Sequence, residues 1–441
     1  MVKKRKETTV IFMTIALLIF CGMPIFSQGS QERVSERAPS VVEIEFYFPE
    51  GFNRPLAFGK VIEKFEQAHP NIKVRTRITP YTEFITSLAI MWAANDVSDV
   101  VLTNSPDIKQ YAYEGALLPL DDLFPKSDYQ YYAPGIIEDV LWEGSIYGAP
   151  IWDSAVGLYY NVDMFNDAGI QAPRTLDEAW TFNEFVTNVT KVMKTAEKNQ
   201  NRKVWGMASV NNPLREDYWN MWIVRSAGTE DSNTFKSISD DGTKLKGYLD
   251  TPEAIEALKF YQKLYNEYEF MPKADVPDGF GTGQVATYLG PISSGWTFTN
   301  NFPNLNWDVM PLPYFVTPIT HTGSFAPSIA ARTRHPEAAK AFVKYLSSAE
   351  ALITYAQYNQ SLPGRIDIRN QIPEFSEGHS LMFQELNEKW GRSRPMSPGH
   401  TIYQNIISRD MMLDIAYGAD VERTVRDAIN AAESQLRRYA R

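Results

Sequence analysis

The stretch from Tyr147 to Ile170, YGAPIWDSAVGLYYNVDMFNDAGI, constrains this chain more than any other. Gly148 and Pro150 punctuate the backbone, and Val156 to Val162 is rich in the aromatic and β-branched residues that suit a buried strand. We read it as a crossing strand, where the chain leaves one α/β unit and begins another. A chain of 441 residues exceeds what one hydrophobic core usually serves, so two lobes with a hinge and a cleft between them are expected.

The residues before the crossing alternate strand and helix. Val42, Ile44, Phe46 and Phe48 recur at period two, as in a strand, and Phe58, Val61, Ile62 and Phe65 recur at helical spacing up to a stop at His69-Pro70. Ile72, Val74, Thr76 and Ile78 form the next strand. A helix from Pro80 is expected to bury Phe84, Ile85, Leu88 and Trp92, and Val97 to Leu102 is a third strand. Ser105-Pro106 supplies an N-cap and first-turn proline to a third helix that Gly115 closes. Such a run predicts a largely parallel sheet with ligands at the carboxyl ends of its strands.

Beyond the crossing, helices are expected around Phe182 to Val192, Arg215 to Ala227, from Thr251-Pro252, and around Ala339 to Leu346. Lys203 to Ala208, Gln284 to Leu289, Trp307 to Leu312 and Phe325 to Ala330 are strands. Two helices broken at Gly418-Ala419-Asp420 end the chain.

The first residues belong to export. Lys3 to Lys6 form a basic region and Val10 to Phe20 an apolar one too short to span a bilayer, so residues 1–29 read as a signal peptide and 30–40 as a tether. Cys21, the only cysteine, either carries a lipid after a lipobox-like Leu18-Ile19-Phe20 or leaves with a cleaved signal. A disulfide has no second partner. The net charge of −10 disfavours nucleic acid and anionic lipid, which demand clustered positive charge.

Enzyme signals are weak. The five histidines lie in no metal-binding spacing, no G-x-S-x-G elbow occurs, and Gly281-Thr-Gly283-Gln-Val-Ala286 follows no strand and opens no helix. No cofactor, metal or catalytic residue is expected. Aromatic residues are more informative: Trp152, Trp219, Trp222 and Trp296 lie near strand ends or turn residues, where a ring can cover the C–H face of a sugar. Trp92, at helical spacing, reads as core.

Several pieces in a fixed order resemble the extracellular solute-binding proteins of ABC importers, in the branch that includes maltose-binding protein. They are Phe65-Glu-Gln-Ala-His-Pro-Asn-Ile-Lys-Val74, Glu114-Gly-Ala-Leu-Leu-Pro-Leu-Asp-Asp122, Tyr147-Gly-Ala-Pro150 with Gly157-Leu-Tyr-Tyr-Asn161, Gly283-Gln-Val-Ala-Thr-Tyr-Leu-Gly290, His335-Pro-Glu-Ala-Ala-Lys-Ala-Phe342 and Leu362-Pro-Gly-Arg365. The resemblance runs from Val41 to about Glu433. It implies a two-lobed α/β periplasmic-binding-protein fold of type II, with mixed sheets flanked by helices and a hinge of crossing segments. The N-terminal lobe would be 40–152 completed by 325–365, and the C-terminal lobe 153–324 completed by 366–441.

By the same resemblance the site would draw Glu50 and Asn53 from the loop after the first strand, Asn104 and Ser105 after the third, and Asp153 from the crossing. Gly323, Ser324 and Phe325 come from the turn before the return strand, and Arg365 from the late Leu-Pro-x-Arg, where it serves equally as an ion-pair partner. Where the family often has Gly-Pro-Trp, this chain has Gly290-Pro291-Ile292, with Trp296 later. Tyr81, Trp219, Trp222 and Tyr403 complete the candidate set. The implied function is capture of a mono- or oligosaccharide by a monomer in the periplasm or on the outer face of the cytoplasmic membrane, with delivery to an ABC importer's permease. Alternatives are a non-sugar solute, such as a glycerophosphodiester or a peptide, and a secreted carbohydrate-active enzyme.

Overall fold

The computed structural model describes residues 41–440 other than Phe52, Asn211, Ser324 and Gln360. The expected signal, tether and Cys21 therefore lie outside the described residues. Among the described residues no helix is long and apolar enough to cross a membrane.

The first half builds as its periodicity dictates: β1 (Val42–Pro49), α1 (Arg54–Ala68), β2 (Ile72–Thr79), α2 (Tyr81–Ala94), β3 (Val100–Asn104), α3 (Ser105–Tyr113) and α4 (Pro134–Val140). β4 (Val156–Asn161) is the expected crossing strand, and all six of its residues are buried. There follow α5 (Phe182–Gln200), β5 (Trp205–Ser209), α6 (Asp217–Arg225), α7 (Pro252–Asn266), β6 (Val285–Pro291), α8 (Ser294–Asn301), β7 (Trp307–Met310), β8 (Phe325–Ile329) and α9 (Pro336–Leu346). The tail ends in α10 (Val421–Leu436), whose N-cap Asp420 accepts a hydrogen bond from the Arg423 N–H.

Two four-stranded sheets result, in the orders β8-β3-β1-β2 and β7-β4-β6-β5. In the first, β1 runs parallel to β2 and β3, and β8 closes the edge antiparallel to β3. In the second, β5 is parallel to β6 while β4 is antiparallel to both β6 and β7. Alternate residues of β4 serve opposite faces, as strand geometry requires. Val156, Leu158 and Tyr160 enter one large core, and Tyr159 enters a smaller core with Phe298 and Phe383.

Core membership passes between the sheets in three regions of the chain, near residues 152–156, 319–326 and 355–372. Trp152 belongs to the first sheet's core and Val156 to the second's; Ile319 belongs to the second and Ala326 to the first; Ile368 belongs to the first and Ile372 to the second sheet's smaller core. At these passages short strands pair with one another. Trp152–Asp153 pairs antiparallel with Leu362–Pro363, Ala155 bridges to Thr322, and Thr320–His321 pairs parallel with Gly391–Arg392.

Three local expectations change. Ile85 is 46% exposed, and α2 buries Met91 in its place, because the helix presents a narrower face to β1 than a full apolar stripe requires. Strand β3 starts at Val100. Ser105 is the first residue of α3 and Asn104 precedes it, with the Asn104 side chain bonded to Asp107 Oδ2 at 3.1 Å instead of capping the backbone.

Trp152 is not a cleft wall. Its ring stacks on Tyr355 at 4.6 Å, nearly parallel, and is buried in the first core. Trp152→Ala is expected to cost about 3–5 kcal/mol of stability, whereas Trp296→Ala, on an exposed ring, should change it by less than about 0.5 kcal/mol. Chemical denaturation of both variants reads the contrast directly.

Candidate functional site

Strand direction places the site. The carboxyl ends of β1, β2 and β3 lie on one edge of the first sheet, and antiparallel β8 starts there because Phe325 pairs with Asn104. That edge carries Glu50, Asn53, Arg54, Tyr81, Asn104, Ser105, Gly323 and Phe325. On the second sheet the carboxyl ends of β5 and β6 share an edge with the start of β4, since Val156 pairs with Pro291. That edge carries Glu216, Asp217 and Tyr218 at the start of α6, and Trp296 in α8. Both edges adjoin the crossing strip, so the strand ends face one cleft.

On the first wall, Arg54 donates to the Glu50 carbonyl at 3.1 Å, and its guanidinium lies 5.3 Å from the Phe325 ring and 5.8 Å from that of Tyr81. Phe325 in turn meets Phe84 edge-on at 5.5 Å. The Tyr81 ring remains 50% exposed. Desolvation raises its phenol pKa above the ordinary value; Glu216 adds to the rise, and Arg54 and Arg394 oppose it.

Arg394 had no sequence signal and is central here. Its Nη2 donates to Asn104 Oδ1 at 2.9 Å and Ser105 Oγ at 3.2 Å, its Nη1 lies 3.4 Å from Asp217 Oδ1, and its guanidinium lies 5.3 Å from the Tyr218 ring. The Tyr218 hydroxyl donates to Ser154 Oγ at 3.0 Å. Gly323, at φ +125°, sits against this network: a Cβ there would meet Ser105 Oγ at 2.9 Å and Arg394 Nε at 3.2 Å. Glycine is needed for both reasons.

The remaining candidates divide. Glu50 is exposed on the first wall. Asn53 sits in the left-handed region at φ 58°, and its amide donates to the Tyr358 carbonyl at 2.8 Å, so it anchors the loop. Ser324 lies outside the described residues. Trp219 is buried beside Tyr218, edge-on at 4.7 Å, close behind the second wall.

Four expectations are corrected by packing. Trp222 is fully buried, stacked on Phe182 at 5.4 Å with Nε1 donating to the Trp219 carbonyl, and no solute reaches its ring. Tyr403 is likewise fully buried, in the second core. Arg365 grips Asp367 through two hydrogen bonds of 3.0 and 2.7 Å, with its guanidinium 5.5 Å from the Tyr131 ring; of its two expected roles the structure shows the ion pair. Asp153 is buried, and both its oxygens accept bonds from the crossing strip: Ser154 N at 2.7 Å, Gly323 N at 3.3 Å and Asn387 Nδ2 at 2.7 Å.

Residues 52–353 match the family model of the bacterial extracellular solute-binding proteins. The chain belongs to that family. A multiple sugar-binding protein of Streptococcus mutans is 22% identical over 78% of this chain and 79% of its own. An uncharacterized ABC transporter extracellular-binding protein of Pyrococcus horikoshii is 21% identical over 98% of this chain and 97% of its own. Among solved structures, an ABC substrate-binding protein of Listeria monocytogenes in complex with cycloalternan superposes with a TM-score of 0.75 at 21% identity, covering 90% of this chain and 99% of that one. A solute-binding protein of Thermotoga lettingae bound with α-D-tagatose gives 0.75 at 19%, covering 90% and 100%. The fold is the two-lobed, type II fold of the periplasmic binding proteins, with mixed sheets flanked by helices.

One buried acid near the site is open to a pH test. Asp139, on α4, has both carboxyl oxygens buried without a hydrogen-bond partner among the described residues. Burial raises its pKa well above the ordinary value; Asp153 and Glu138 add to the rise, and Arg394 and Lys109 oppose it. In the unfolded chain the group ionises near about pH 3.9. Its stabilising contribution is therefore whole below that pH and is lost as pH climbs toward the folded-state pKa. Asp139→Asn is expected to gain roughly 1–3 kcal/mol over wild type at pH 7 to 8, with a smaller gain at pH 5, measured as melting temperature against pH.

Proposed function

We propose that this protein captures a carbohydrate, a mono- or oligosaccharide, between its two lobes and delivers it to the membrane subunits of an ABC importer. The reading rests on one juxtaposition: an open aromatic ring on each facing strand edge, Tyr81 at 50% and Trp296 at 40% exposure, beside polar side chains such as Glu50 and Asn104. A flat ring covers the C–H face of a sugar while carboxylates and amides take its hydroxyls. The sugar-binding relatives support the same choice, as do the cycloalternan and tagatose complexes of structural neighbours. Arg394 is paired with Asp217, and the charges of Arg54 and Glu216 act on Tyr81 with opposite sign, which favours an uncharged ligand over a phosphodiester.

Within this reading the lobes are 40–152 with 325–365 and 153–324 with 366–441. The protein works exported, as a monomer, either cleaved after its signal or held by a lipid on Cys21, and without catalysis. Ligand contacts both walls only when they approach, so its differential affinity shifts an open–closed equilibrium. An affinity on the order of micromolar, about 8 kcal/mol, serves both capture and release.

Calorimetry and intrinsic fluorescence against a panel of neutral sugars test the assignment. Tyr81→Ala and Trp296→Ala should each weaken binding by about threefold to tenfold, and oligosaccharides should be recovered intact after incubation. A panel in which no sugar alters fluorescence or melting temperature, while a phosphodiester or peptide does, overturns it.

A further inference from the structure

Arg394 belongs to neither wall by sequence pattern, yet it contacts both. Three donor atoms describe its position. Nη2 is spent on Asn104 and Ser105, at the end of β3 in the first sheet. Nη1 reaches Asp217 Oδ1 on the second wall at 3.4 Å, long for a charge-assisted bond. Nε has no partner among the described residues, and neither has Asp217 Oδ2, although both atoms are buried. The side chain itself is 8% exposed and that of Asp217 fully buried.

A charged pair in such surroundings normally saturates its hydrogen bonds, because an unsatisfied buried donor or acceptor keeps its desolvation cost without compensation. Here one donor and one acceptor of the same ion pair are left over. The surrounding groups do not supply the missing bonds. The Asp217 carbonyl is taken by His321 Nδ1 at 2.8 Å; Arg225 is committed to His321 Nε2, the Phe235 carbonyl and the Ser393 carbonyl; and Tyr218 has bonded Ser154.

We propose that Arg394 is a positioning residue that clasps the two walls together through Asn104 and Ser105 on one side and Asp217 and Tyr218 on the other. Arginine suits the role because its planar fork addresses separate partners in fixed directions, which a lysine cannot reproduce.

Spin labels on exposed Glu83→Cys and Thr299→Cys, in a Cys21→Ser background, report the distance between walls by double electron–electron resonance. Without added solute, Arg394→Gln is expected to move population from the shorter to the longer distances. Asn104→Ala, which leaves Arg394 paired with Asp217, should do so in part, and the double variant should add nothing beyond Arg394→Gln. Arg394→Lys should restore little. Circular dichroism confirms that each variant is folded, and the mild Asn104→Ala keeps the test informative where Arg394→Gln is not. Unchanged distributions in folded Arg394→Gln or Asn104→Ala overturn the clasp.

Discussion

One buried carboxylate holds the passages between the two sheets in register. Asp153 lies on the first passage, accepts from the Gly323 N–H on the second, and accepts from the Asn387 side chain just past the third, while its backbone pairs with Leu362. Burial raises its pKa; the bond from Asn387 and the charge of Arg369 lead the opposing effects. Arg369 is itself fixed by the Pro363 carbonyl, Asn387 and Glu388. A charge withdrawn from water is tolerable only where its lone pairs are occupied, and here the occupants are the crossing segments themselves. The two sheets thus meet at a polar strip, while each keeps its own apolar core.

Most of the fold was legible because it is written locally. The period-two run of β1, the helical spacing through Phe65 and that from Phe182 to Val192 each announce their element without help from distant residues. In the last case Thr181 and Glu184 form a reciprocal capping box at the start of α5. The loss of signal is equally physical. Every residue of α6 is buried, so the helix has no polar face to tell Trp222, which points into the core, from Tyr218, which lines the cleft. Trp152 failed for a related reason: flanking proline and aspartate suggested a surface, yet its ring docks on Tyr355, about two hundred positions away in the chain.

The candidate site was legible in outline and not in detail. The loops after β1 and β3 and the turn before β8 were identified from strand order and family resemblance, since strand direction alone decides which loops share an edge. Arg394 and Asp217 were not. Arg394 sits in Ser393-Arg394-Pro395, a stretch with no periodicity, and meets Asn104 across a separation of 290 positions. A contact of that kind leaves no trace in one sequence, because it depends on how two separate cores come to lie. Arg54 stands near the expected cleft by its place after β1, but its seat between Tyr81 and Phe325 depends on strand directions that bring the end of β2 and the start of β8 to the same side of the sheet.

Adjacent residues at the first passage show how stability and recognition are kept apart. Successive side chains of an extended segment point to opposite sides, so Trp152 anchors the passage in the first core while Asp153 faces the strip and binds the other passages. Neither is left to meet a solute. In the carbohydrate reading, recognition falls instead to residues at the strand ends, Tyr81, Asn104 and Phe325 on one edge and Tyr218 and Trp296 on the other. The side-chain oxygens of Asp153 are occupied by Ser154, Gly323 and Asn387, none of which is among them, so replacing the side chains of recognition leaves the bonds of the strip in place.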